Sequence, residues 1–226
     1  MNRTARNLLL CGLVLLARSA GAVFVGQIDN FQDGTTRNWS NGGIIGTTPV
    51  TNISNGGPTG SGDAYIRVTA DGNGSGGKLT AFNRDQWLGD YNAQEVNAIE
   101  VDLLNQSAVQ LSIRMAFKNG PGNTAGYLTQ AMILPVASGW QHFTISLAPA
   151  NLIPVGGPSP WSTFFIGEAR FIHAVGTTSL SGTNVVGQLG IDNVLAVPEP
   201  ATIALVTIGL LALWYSVVRR ERRGNN

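Results

Sequence analysis

Cysteine is all but missing from this chain. Its one cysteine, Cys11, falls inside an N-terminal apolar run. A mature form without that run has no disulfide, no thiolate nucleophile and no thiolate metal ligand. Histidine is nearly as scarce. His142 and His173 both lie in segments that alternate like strands, and neither has a metal-ligand partner at a recognisable spacing. No helical-period segment of useful length occurs between residues 23 and 196. A G-x-S-x-G elbow and a phosphate-cradling or dinucleotide glycine motif are also missing, because the glycine-rich runs here join strands and do not open helices.

Charge is scarce too, at 12% of residues, and unevenly placed. Between Val23 and Val197 there are seven Lys or Arg (Arg37, Arg67, Lys78, Arg84, Arg114, Lys118, Arg170) against eleven Asp or Glu, a net charge of −4. The whole chain's formal +1 arises because the other seven arginines sit at its two ends. No basic patch remains that could follow a phosphate backbone, which argues against nucleic acid as a partner.

The arginines at the ends flank apolar runs. Arg3 and Arg6 precede Leu8 to Ala17, and Ala20-Gly21-Ala22 is a small-x-small cleavage pattern, so residues 1–22 read as a signal peptide cut by signal peptidase between Ala22 and Val23. Cys11 does not fit a lipidation site, since Leu10 precedes it. At the other end, Val197-Pro198-Glu199-Pro200 leads into 18 uncharged residues, Ala201 to Val218. As a helix that run spans roughly 27 Å, near the hydrocarbon thickness of a bilayer. Trp214 and Tyr215 fall at its end, and Arg219, Arg220, Arg222 and Arg223 form a cytoplasmic stop within the basic tail 219–226. Pro198 and Pro200 favour an exposed, unpaired extended segment over 197–200.

This order of motif, span and basic stop in residues 197–226 resembles the PEP-CTERM sorting signal of Gram-negative bacteria. The resemblance implies recognition of Val197, Pro198, Glu199 and Pro200 by an exosortase, an integral membrane cysteine transpeptidase. It implies a transient single-pass inner-membrane intermediate, then release to the cell surface or extracellular matrix of a bacterium that makes exopolysaccharide. A plain single-span anchor with a proline hinge is the alternative.

The remaining body, residues 23–196, suffices for one domain with a sizeable core. Val109, Leu111, Ile113, Met115 and Phe117 alternate with Gln110, Ser112, Arg114, Ala116 and Lys118, the pattern of a strand with one buried face. The same period marks Ile99 to Leu103 and Phe143 to Leu147. Further strands are expected over 23–30, 64–70, 78–82, 127–134, 164–175 and 188–197, separated by turns such as Asn55-Gly56-Gly57-Pro58 and Asn119-Gly120-Pro121-Gly122. The expected fold is all-β, an antiparallel two-sheet β-sandwich. Ile28-Asp29-Asn30-Phe31-Gln32-Asp33-Gly34 with Trp39, Gly62-Asp63-Ala64-Tyr65, Gly139-Trp140-Gln141 and Leu189-Gly190-Ile191-Asp192-Asn193-Val194 together resemble the jelly roll of galactose-binding-like and carbohydrate-binding modules. Trp39 and Trp140 are expected in its core.

Jelly rolls of that kind often share one structural calcium ion between their first and last strands, and the resemblance implies Asp29, Asp33, Asp63 and Asp192 as its carboxylates. Calcium takes six to eight oxygens, so such a site recruits several segments. Turn or cap hydrogen bonds near strand ends are the competing role for the same aspartates. Sugar binding calls for aromatic faces beside polar groups. Trp87 and Tyr91, with Arg84, Asp85 and Asp90 in the charged loop 83–91, are the preferred ligand surface, with Trp161 and Tyr127 as further rings. The same loop could instead plug the open end of the sandwich. Glu95, Glu100, Asp102 and Glu168 are the carboxylates that a glycoside hydrolase would have to pair across a cleft. Three functions follow in order: a non-catalytic surface or matrix protein binding exopolysaccharide, a structural or adhesive coat protein, and a secreted hydrolase.

Overall fold

In the computed structural model of the chain the described residues are 22–41, 50–73 and 77–198. The signal segment 1–21, Glu199 and Pro200, the apolar run 201–218 and the basic tail lie outside them.

Twelve strands form two antiparallel sheets. The first sheet contains β1 (Ile28–Asp29), β2 (Val50–Ile53), β3 (Tyr65–Asp71), β5 (Ala98–Asn105), β9 (Trp140–Ser146) and β12 (Val186–Val197), in the order β2-β3-β12-β5-β9 with β1 also on β12. The second contains β4 (Thr80–Asn83), β6 (Leu111–Lys118), β7 (Gly126–Leu128), β8 (Met132–Leu134), β10 (Ile153–Val155) and β11 (Glu168–His173), in the order β10-β7-β6-β11-β4 with β8 on β6. The fold is the expected two-sheet sandwich.

The core lies between the sheets. Ile99, Val101 and Leu103 of β5, Leu189 and Ile191 of β12, and Leu111, Ile113, Met115 and Phe117 of β6 are all buried there, each with exposure of 1% or less. At roughly 1.5–3 kcal/mol for each large side chain withdrawn from water, this alternation is what selects the register. Where the chain cannot alternate, side chains reshape it. The expected strand over 127–134 breaks into β7 and β8 at Thr129, whose N–H donates to the Met115 carbonyl while its Oγ1 accepts from the Met115 N–H. Gly126 is required beside this break, because a Cβ there would stand 2.0 Å from the Phe117 carbonyl oxygen.

Three features differ from the sequence expectations. β6 is buried on both sides: Arg114, Ala116 and Lys118, assigned to an exposed face, are 8%, 0% and 5% exposed. A second apolar cluster of Ala116, Leu128, Val155, Ile172, Ala174 and Leu180 covers the outer side of the second sheet. Trp140 is not in the core either. It sits half-buried on the outer face of the first sheet, edge-on to Tyr65 at 5.1 Å, with its indole N–H donating to the Gly56 carbonyl. Finally, Val197 is not unpaired. It ends β12 opposite Ala98 and accepts a hydrogen bond from the Asn97 N–H.

The two ends of the domain run side by side. Gly26 N–H donates to the Ala196 carbonyl and Ala196 N–H to the Gln27 carbonyl. Val23, the residue expected to begin the mature chain, is fully buried and its N–H donates to the Leu88 carbonyl.

One carboxylate closes this end. Asp29, 2% exposed, accepts through Oδ2 from the indole N–H of Trp39 at 2.8 Å and of Trp87 at 2.6 Å, and from Gln86 Nε2 at 3.1 Å. Burial raises its carboxyl above the ordinary range against these three donors. Replacing Asp29 by Ala strands two buried indole N–H groups, each costing about 1–3 kcal/mol. We expect Asp29→Ala to lower the unfolding free energy by about 3 kcal/mol in urea titration with an unchanged m value. A loss under about 1 kcal/mol would show that the two indoles do not depend on it.

Candidate functional site

The loop 83–91 plugs the end of the sandwich with its rings and turns its polar groups outward. Asn83, fully buried, accepts from the Asp85 and Trp87 N–H groups through Oδ1 and donates from Nδ2 to the Arg37 carbonyl. That side chain winds the loop so that Trp87 points into the core, 0% exposed, 6.2 Å from Trp39. Tyr91 is 1% exposed, packs edge-on against Phe117 at 5.6 Å and donates to the Trp87 carbonyl. Burial, with the Asp29 charge adding to it, pushes its hydroxyl well above the usual tyrosine range.

The expected aromatic ligand surface is therefore corrected. Trp161 is 5% exposed within a ring cluster with Tyr127, Phe117 and Phe164, and Tyr127 is itself 8% exposed with its hydroxyl on the Ser159 carbonyl. None of these four rings offers a face to a sugar. The other loop residues separate. Asp90 accepts the N–H groups of Asn92 and Ala93 in a turn, Arg84 turns to Glu168, and Asp85 accepts from Asn38 Nδ2 at 2.5 Å at the surface.

Asp85 and Gln86 instead line an open cleft of about 510 Å³ together with Gln27, Asp29, Arg37 and Asn38, with Phe24 and Ile28 among its apolar walls. Three segments meet here, and all are held by side-chain bonds. Gln27 Nε2 donates to the Gln86 carbonyl at 2.9 Å, and Gln86 Nε2 donates to the Arg37 carbonyl at 2.6 Å. With both amide nitrogens engaged, the oxygens Gln27 Oε1 and Gln86 Oε1 are left buried without a partner. Such orphaned acceptors are uncommon and cost free energy unless something donates to them. The backbone adds a second irregularity: Arg37 and Asn38 are consecutive left-handed residues, φ 48° and 60°. Strained geometry of this kind concentrates where a ligand is handled. The cleft is thus lined by two carboxylates, three amides and a guanidinium beside apolar walls, a set suited to a neutral molecule rich in hydroxyls. The sequence signal for it lay in polar residues from segments nearly 60 positions apart, which no local pattern joins.

The four aspartates expected around calcium do not converge. Among the described residues no group of three or more His, Cys, Asp or Glu is placed to hold a metal. Asp29 already accepts three donors through Oδ2, and Asp33 is held by Thr35 and by Arg37 at 2.7 Å. Asp63 accepts from Gln32 Nε2 at 2.6 Å and from the Thr59 N–H. Asp192 differs. It is fully buried at the bulge where Asn193 takes φ 50°, Oδ1 accepts the Asn193 N–H, and Oδ2 has no partner. Burial, with Asp63 and Asp102 adding to it, raises its carboxyl to about 7.

Two of the four carboxylates considered for hydrolysis are engaged by other side chains. Asp102 bonds His142 Nδ1 at 2.9 Å and Asn193 Nδ2 at 2.8 Å. Glu168 is fully buried among Arg84, Lys118 and Arg170, and although burial alone would raise its carboxyl, these cations hold it below the ordinary range.

Comparison with known proteins adds to this geometry at two levels. Residues 196–223 match the PEP-CTERM protein-sorting motif. No curated protein matches the chain in sequence. Among solved structures, the fold is similar to the family 11 carbohydrate-binding module from Clostridium thermocellum in complex with a β-1,3-1,4-mixed-linked tetrasaccharide, at TM-score 0.52 and 18% identity over 77% of this chain and 96% of that one. It is similar also to the family 11 module of the cellulosomal cellulase Lic26A-Cel5E of Clostridium thermocellum, at TM-score 0.50 and 16% identity over 78% and 96%. The chain thus joins a PEP-CTERM sorting signal to a β-sandwich with the fold of carbohydrate-binding modules.

Proposed function

We propose that this is an exported, non-catalytic surface or matrix protein that binds exopolysaccharide through the cleft beside loop 83–91. The observation that carries the proposal is the open cleft itself, where Arg37, Asn38, Asp85 and Gln86 come together beside the apolar walls of Phe24 and Ile28. Sugar hydroxyls both donate and accept, and these side chains supply partners of each kind. A saccharide ligand on a Clostridium thermocellum module of this fold supports the same reading. The engagement of Asp102 and Glu168 with other side chains supports a binding role over hydrolysis.

The tail fits such a role. Signal peptidase cleaves at Ala22–Val23, the inner membrane holds the intermediate through 201–218, and an exosortase acts on the motif that follows β12. Calcium enters in a narrower form than the four aspartates suggested, with Asp192 and Asp63 as its ligands and not Asp29 or Asp33. Bound there, calcium would neutralise carboxylates that lack a cation of their own.

Two outcomes check these proposals on the mature domain. Asn38→Gly, which suits the positive φ, should weaken retention by the producer's purified exopolysaccharide about tenfold, roughly the 1–1.5 kcal/mol of a lost hydrogen bond, with the melting temperature preserved, and Gln86→Met should weaken it similarly while lowering Tm, since Asp29 and the Arg37 carbonyl also lose a donor. Undiminished retention in both variants would place the ligand elsewhere. Millimolar calcium added to metal-stripped protein should raise Tm by several degrees, as mass action requires for an ion bound only by the folded state, and Asp192→Asn should abolish the rise. An unchanged Tm in the wild type would remove calcium from the account.

A further inference from the structure

Four of the body's seven cationic side chains fall on the outer face of the second sheet. Lys118 lies opposite Glu168, Arg170 opposite Ala116 and Arg114 opposite Ile172, and Arg84 follows directly on β4 and reaches the same Glu168. One carboxylate against four cations gives this face a net charge of +3 in a body whose total is −4. The compensation is incomplete in detail. Buried Arg114 donates only to the carbonyls of Thr129 and Ala174. Arg84 Nε lies 2.5 Å from Glu168 Oε2, and Arg170 Nε binds Oε1. Both arginines use only Nε in this way, so their Nη groups have no carboxylate or carbonyl partner among the described residues. The two guanidinium groups stand over one ring, their central carbons 4.1 and 5.5 Å from the Phe82 centroid, and the Arg84 side chain is 41% exposed.

We infer that this pair of guanidinium groups, fixed over Phe82 and anchored to Glu168, is a second glycan subsite that takes the carboxylate or sulfate of an acidic sugar residue. Planar forks with free Nη donors match the two oxygens of such a group, and holding them by Nε and by the ring removes most of the ordering cost. The half-buried setting strengthens the attraction relative to open water. Lys118 is consistent with unmet positive charge: burial first, then the Arg170 charge, lowers its amine, and an added anion would relieve that pressure. Consecutive residues divide the work, Arg84 facing this platform and Asp85 the cleft. The inference rests on the glycan-binding reading for the nature of the partner but uses a separate surface.

The test is affinity electrophoresis of the mature domain in gels carrying polygalacturonate, dextran sulfate or unmodified dextran, at about 20 and about 300 mM salt. At low salt the protein should be retained by at least one acidic polymer about tenfold more strongly than by dextran, and salt should weaken that retention. The two acidic arms tell a carboxylate from a sulfate. Arg84→Gln should remove the acidic preference and lower Tm somewhat, because Glu168 loses one of its three cations. Should that variant be unstable, Arg84→Lys keeps the charge without the fork and should retain only a small part of the preference. Equal retention on acidic and neutral polymers, or full acidic retention in both Arg84 variants, overturns the inference. Loss of exopolysaccharide binding in Gln86→Met without any acidic preference in the wild type would overturn the platform and leave the cleft standing. Acidic retention that survives Gln86→Met and falls in Arg84→Gln supports it.

Discussion

The buried carboxylate of Asp29 is the contact on which the functional end of this domain depends. It belongs to a strand of two residues, too short to be held by its own ladder, and it binds the indole N–H groups of Trp39 and Trp87 from two other segments. An acid this deep is costly to bury, and its cost is offset because three donors converge on one oxygen. The consequence is directional. With both indoles turned inward, the backbone around them presents Arg37, Asn38, Asp85 and Gln86 to the cleft. The ring system and the ligand surface are two sides of one arrangement.

The second sheet shows a related division. Its inner face is apolar, but its outer face is neither solvent-exposed nor uniformly apolar. Leu180 and its neighbours close one part, and the Glu168 ion cluster closes the other. A buried carboxylate with three cations around it is stable only as a network, since removing one partner leaves charge without compensation.

The fold was legible because alternation in β5, β6 and β9 is a direct imprint of a core on one side. Leu111, Ile113, Met115 and Phe117 are where the period puts them. The period is silent about what covers the other face, so Arg114 and Lys118 read as solvent-facing until the segment around Leu180, which has no pattern of its own, folds over them. β2 and β10, of four and three residues, carry too few positions for any period to register. Trp87 was left open between ligand surface and plug for a comparable reason, and the structure makes it the plug. Its neighbours Asp85, Gln86 and Asp90 mark a surface loop, while the group that draws the ring inward lies 58 residues earlier. The sorting motif was legible because its information is local, and residues 196–223 match it. That motif overlaps the end of the strand, since Ala196 and Val197 belong to both, so the folded sandwich reaches into the signal itself.

The central claim is that the rings of loop 83–91 serve the fold while the polar groups beside them hold the ligand. Its most direct measurement is an NMR titration of the mature domain with fragments of the producer's exopolysaccharide, following side-chain amide and indole N–H signals together. The account predicts saturable shifts at the side-chain amides of Gln27, Asn38 and Gln86, with the indole signals of Trp39 and Trp87 persisting as hydrogen-bonded, slowly exchanging protons. Fast exchange of the Trp87 indole on binding, or shifts confined to residues away from the cleft, would contradict it.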